Sequence, residues 1–193
     1  MAWMTPRTLK TTAIAVLAIA AAGGAAITTA GLAWPNTIGP DLAPVHEMRA
    51  DRALLAQYPQ TIKADRESQA ALAQAPAAAN AWLRRAYVRQ LGTRTLDAQA
   101  LDYLDKSYQA APLGPDVTRW RLRFIFEHWS EMTPALRIRA VGEMRNFAHY
   151  HSGGPDIVRA IHNPAGRWAA ALVERSGHNE ALRDHGMLAK AAE

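Results

Sequence analysis

Twenty-three consecutive residues without a charge, Thr11 to Ala33, constrain this 193-residue chain more than any other stretch of it. A helix rises about 1.5 Å per residue, so the run reaches roughly 35 Å, enough to cross a ~30 Å hydrocarbon core. Arg7 and Lys10 precede it, and Trp34-Pro35 follow at once. Basic residues on the N-terminal side alone predict that residues 1–10 stay in the cytoplasm and that everything after Trp34 lies across the membrane. Trp34 itself suits the outer interface, where amphipathic rings collect.

The run has two readings. Its length is that of a retained signal-anchor. Its composition is lukewarm, with ten Ala, four Thr and three Gly against six strong inserters, Ile14, Val16, Leu17, Ile19, Ile27 and Leu32. A cleaved secretory signal has a shorter apolar core followed by a small-x-small site, and Gly31-Leu32-Ala33 offers such a site before Trp34. Ala20, Gly24 and Thr28 form a small-xxx-small row on which two spans can pack, so a homodimer is compatible with it.

Composition removes several function classes. Cysteine is absent, which excludes disulfides and thiolate metal sites. The first forty residues hold two of the 22 basic residues and none of the 17 acidic ones, so residues 41–193 are only mildly basic. No nucleic-acid partner is expected from such a balance.

Residues 34–44 form a Pro-rich linker, with Pro35, Gly39, Pro40 and Pro44. Beyond it no stretch alternates apolar and polar residues with β-branched enrichment, so the expected fold class is all-α. The spacing predicts helices over Val45–Gln57, Ile62–Gln74, Ala78–Leu91, Leu96–Ala110, Asp116–Trp129, Pro134–Tyr150, Asp156–Ile161, Ala165–Arg175 and Asn179–Ala191. Pro59, Pro76, Pro112 and Pro164 bound helices, Gly92 and Gly177 are expected as C-terminal caps, and Thr133-Pro134 reads as an N-cap followed by Pro in the first turn. Trp120, Phe126 and Trp129 read as core anchors.

A repeat runs through these helices. Ala64, Ser68, Ala71 and Pro76 are echoed 36 residues later by Ala100, Leu104, Ser107 and Pro112, and more loosely by Ala140, Met144 and Phe147. Small residues at such positions let helices approach closely, and a period in this range marks stacked helical hairpins.

With Trp82 and Ala86 in the first helix of a pair and Ala100, Leu104, Ser107 and Pro112 in the second, the chain resembles the tetratricopeptide repeat (TPR). It departs from that pattern at Arg85 and Arg89, where the family prefers apolar residues, and at Phe124, where it prefers a small one. The resemblance covers residues 60–150, within an expected TPR-like repeat domain over 45–150, and leaves 151–193 as a C-terminal helical cap. It implies an inner, partner-binding face made of Asn80, Leu83, Tyr87, Gln90, Thr118, Arg121 and His128. In general build the chain also resembles small membrane-anchored repeat proteins of proteobacterial cell-envelope and surface-polysaccharide systems. That likeness implies an inner-membrane, single-pass protein with a periplasmic domain.

Candidate chemistry is sparse. His149, His151, His162, His178 and His185 crowd the C-terminal third, but no His-Glu-x-x-His pair or other metal spacing occurs, so no metal or cofactor is expected. There is no Gly-x-Ser-x-Gly turn, no Ser-x-x-Lys and no phosphate loop, and Asp97, Asp102 and Asp105 share a helix with Lys106 as a polar face. No catalytic residue is expected. Arg85, Arg89, Arg119 and Arg123 form a basic face, read either as a solvated surface with local ion pairs or as an electropositive groove. The expectation is a non-enzymatic, membrane-tethered adaptor whose helical domain docks a protein partner in the envelope. The alternative is a secreted binding domain for an anionic polysaccharide or another acidic ligand.

Overall fold

A computed structural model describes residues 41–184. The apolar run Thr11–Ala33, its cleavage site, the Ala20/Gly24/Thr28 row, the greater part of the Pro-rich linker and His185 lie outside the described residues. Among the described residues no helix is long and apolar enough to cross a membrane.

These residues are all-α. Eight helices run in order: α1 Ala43–Leu55, α2 Thr61–Gln74, α3 Ala79–Thr93, α4 Ala98–Ala110, α5 Pro115–Glu127, α6 Pro134–Tyr150, α7 Gly154–Arg159 and α8 Pro164–Asp184. A 3-10 turn, Trp129–Glu131, separates α5 from α6. The chain divides between Gln74 and Ala75 into two compact units.

The first unit is the α1–α2 hairpin. Val45, Ala50 and Ala53 of α1 and Ala64, Ser68, Ala71 and Leu72 of α2 are buried, most of them small. Their small side chains let the two backbones come close. Ser68, with no room to reach water, returns its hydroxyl to the Ala64 carbonyl at 2.7 Å. His46, also buried, joins the helices through Nδ1 to Glu67 Oε2 at 2.7 Å.

The second unit begins with a similar hairpin. Ala100, Leu104 and Ser107 of α4 have no exposed surface, nor have Ala64, Ser68 and Ala71 of α2, so the 36-residue echo marks equivalent buried positions in both units. Ser107 Oγ donates to the Ala79 carbonyl at 3.0 Å, tying the end of α4 to the start of α3. Asp97 caps α4 by accepting from the Ala100 N–H at 2.9 Å, and Thr133 caps α6 by accepting from Leu136 at 3.2 Å. From α5, Trp120 and Phe124 meet Tyr87 of α3 edge-on, with centroids 6.1 and 6.0 Å away.

Three expectations are corrected by the structure. Gly177 does not end a helix: α8 runs unbroken from Pro164 to Asp184, replacing the two helices expected there. A Cβ at Gly177 would strike the Arg145 carbonyl oxygen of α6, and one at Gly166 would strike the Phe126 carbonyl oxygen of α5. Both glycines therefore serve backbone-to-backbone contact, and α6 packs most closely on α8. Gly92 lies inside α3, whose cap is Arg94 in the left-handed region at φ 62°, its N–H on the Gln90 carbonyl at 2.7 Å. Of the three expected aromatic anchors, Phe126 is fully buried, while Trp120 and Trp129 are half-buried at the edge of the core.

Candidate functional site

Three charged side chains lie deep in the second unit, Arg84 of α3 and a facing pair. Arg121 of α5 and Glu143 of α6 are 0% and 1% exposed and meet at 2.6 Å. All five guanidinium N–H groups are used. Nε donates to Glu143 Oε2 at 3.1 Å and Nη2 to Glu143 Oε1 and the Pro112 carbonyl, while Nη1 donates to the carbonyls of Ser107 and Ala111 at 3.0 and 2.9 Å. Glu143 is equally occupied, with Thr118 Oγ1 at 2.7 Å on Oε1 and the Tyr108 hydroxyl at 2.8 Å on Oε2. Burial, then the Glu143 charge, pushes the Tyr108 phenol far above its usual range, so it stays a donor.

The carbonyls that Arg121 captures are those left over where α4 ends, which favour a cation. The network thus caps α4 from α5 and balances the charge from α6. Its donors are all spent within it: none is left for a ligand.

Above this floor runs a groove between the α4–α5 turn and α6. One hollow, ≈ 490 Å³, is bordered by Tyr108, Pro112, Leu113, Arg139 and Asn146. An adjoining one, ≈ 250 Å³, is bordered by Leu113, Thr118, Arg119, Asn146, Phe147 and His151. Leu113, Glu143 and Asn146 belong to both. At the first end Arg139 is held by Asp105 at 2.8 Å. At the other end the Arg119 guanidinium lies 5.3 Å from the Phe147 ring centroid, and the His151 ring stands 4.9 Å from the same ring. Gly153 backs that guanidinium closely, since a Cβ there would come 2.8 Å from Arg119 Cζ. Among the described residues Arg119 makes no ion pair.

The seven residues expected on an inner binding face are not brought together as one open surface. Leu83, Thr118 and Arg121 are buried, and Asn80, Tyr87, Gln90 and His128 are half-buried. Tyr87 is engaged with α5, and His128 is held by Glu131 at 3.0 Å. The basic face also divides. Arg85 bonds the Tyr103 hydroxyl at 2.8 Å and Arg89 pairs with Asp97 at 2.7 Å, both binding α3 to α4. Arg119 turns to the groove and Arg123 is exposed. The histidines are scattered, with His149 near Asp184 at 3.5 Å and His162 exposed.

Glu143, Asn146 and Leu113 carried no expectation from the sequence. A signal existed for Glu143 alone: it falls in the buried stripe Ala140, Met144, Phe147, where an unpaired carboxylate would be costly and therefore implies a cation on a neighbouring helix.

No family model, curated protein or solved structure matches the chain.

Proposed function

We propose that this chain is a non-enzymatic docking protein, tethered to the membrane by Thr11–Ala33, whose second unit holds an acidic segment of a protein partner in the groove between the α4–α5 turn and α6. The observation that supports this reading most is the division of labour among its charges. The floor consists of an ion pair whose hydrogen bonds are all satisfied internally, while Arg119 is fixed at the mouth without a carboxylate. A guanidinium held on an aromatic face loses little further freedom on pairing, and presents a planar fork suited to carboxylates.

The finer assignment, a TPR-like repeat domain, is supported by the α3–α4 hairpin and its buried Ala100–Leu104–Ser107 row, with Trp82 Nε1 donating to the Pro76 carbonyl at 2.9 Å. It is weakened after α5, where α6 takes α8 as its closest neighbour. The periplasm of an envelope system is the location this reading carries with it.

The test starts from detergent-solubilised membranes. A benzophenone placed at Leu113 should cross-link a partner that Asn146→Trp, which fills the groove, no longer captures. Equal capture by that variant overturns the groove. For the tether, retention in the pellet after a carbonate wash is expected, and a mature N-terminus at Trp34 overturns it.

A further inference from the structure

We propose that the turn joining α1 and α2 docks on an anionic lipid surface. The three most exposed large apolar side chains among the described residues are Leu55, Tyr58 and Ile62, at 84, 80 and 87%. All fall within eight residues of sequence, at one end of one hairpin. Hairpin ends are ordinarily polar, and a concentrated apolar patch there marks a contact.

Its charges point to the kind of contact. From Arg52 to Lys63 the chain carries no other charged residue; Arg66 lies one turn further along α2, and the acids come just outside that stretch, Asp51 and Asp65, with Glu67 held by His46. Lys63 and Arg66 border the same shallow hollow as Pro59 and Ile62, so cations and apolar groups share one surface. Leucine and isoleucine for the acyl boundary, a tyrosine for the headgroup level and flanking cations for anionic headgroups are what an interfacial segment requires. A protein partner would have to match the same mixture; a bilayer matches it without design.

The chain before the hairpin gives the reach. Thr11–Ala33 ends nine residues before α1, and nine residues extend at most about 30 Å. The hairpin is therefore confined near the bilayer if that run is a span, and the proposal rests on the tether proposed above. Even weak interfacial affinity then acts at high effective concentration.

The chain has no cysteine, so a single fluorophore can be attached cleanly to the full protein at Ile62→Cys on the tip or Ala73→Cys at the far end of α2. Each is reconstituted in phosphatidylcholine vesicles with or without phosphatidylglycerol, and flotation is measured first. The label at 62 should shift to the blue and be quenched by lipids carrying a nitroxide near the headgroup, several-fold more than the label at 73. Phosphatidylglycerol should strengthen that quenching, and Arg52→Gln/Lys63→Gln/Arg66→Gln should abolish the strengthening. Equal water exposure of the two labels in protein that floats overturns the proposal. So does a blue shift without nitroxide quenching, which would give the tip to a second copy or another protein. Protein that does not float defeats the tether first, and lipid docking with it.

Discussion

Arg121 Nη2 and Glu143 Oε1 stand 2.6 Å apart where neither side chain reaches solvent, and each holds a different helix of the same unit. Removing one partner leaves the other charged, buried and alone. Arg121→Gln or Glu143→Gln is expected to cost about 3–5 kcal/mol in denaturant unfolding. The double replacement Arg121→Met/Glu143→Leu should lose far less than the sum of the two, because no stranded charge remains. Full-stability single variants would show that the pair is not what joins α4, α5 and α6.

Gly166 and Gly177 make a second stability prediction. Each faces a carbonyl oxygen of another helix where a methyl group has no space. Backbone cannot swing aside as a side-chain end does, so Gly166→Ala and Gly177→Ala should each destabilise by about 1–3 kcal/mol, although alanine favours a helix. Gly92→Ala, with nothing near its Cβ, is the control and should leave the melting temperature level or higher.

Asp97 gives the third, through pH. The hydrogen bond from Arg89 and then that from the Ala100 N–H hold its carboxyl below the usual aspartate range. A folded pKa below the unfolded one adds stability that is complete above ~3.9 and is lost as pH falls through the folded value. The melting temperature of the protein should therefore exceed that of Asp97→Ala by a constant margin from about pH 5 to 7, above that titration, and the margin should narrow below about pH 4. A margin unchanged in acid would remove the ionised cap from the explanation.

The fourth concerns binding. Arg119→Glu should weaken partner co-purification about tenfold or more, as loss of a charge-assisted pair does, while the melting temperature moves by only a few degrees. Gly153→Ala keeps the charge but intrudes on the guanidinium, so it should weaken capture as well. Rising salt should release the partner. Capture that survives both variants in high salt would assign the groove to apolar contact through Leu113.

Helix content was legible because its signals are local. Thr133-Pro134 depends on residues within one turn and takes the cap and first-turn positions expected of it, and the small residues of the echo are buried, whereas Asp97, expected on the polar face of its helix, caps that helix instead. The groove was not legible, because it depends on which helix lies beside which. Arg121 reads as part of an open binding face until α6 brings Glu143 under it, and Gly177 reads as a helix end until α6 is found against it. Along the chain Arg119 is one of four similar cations; only Phe147 and Gly153, 28 and 34 residues on, distinguish it from the others.

The position of α8 sets the timetable on which the protein is made. Chains emerge from the ribosome N-terminus first, and α3 to α6 appear well before Pro164–Asp184, the helix that covers α5 and α6 through its glycines. Until then, Ala148 and the backbone at Phe126, which Gly177 and Gly166 approach, have no lid. Nascent chains arrested before residue 164 should hence remain protease-sensitive and chaperone-bound, and protection should arrive in one step, when α8 is released.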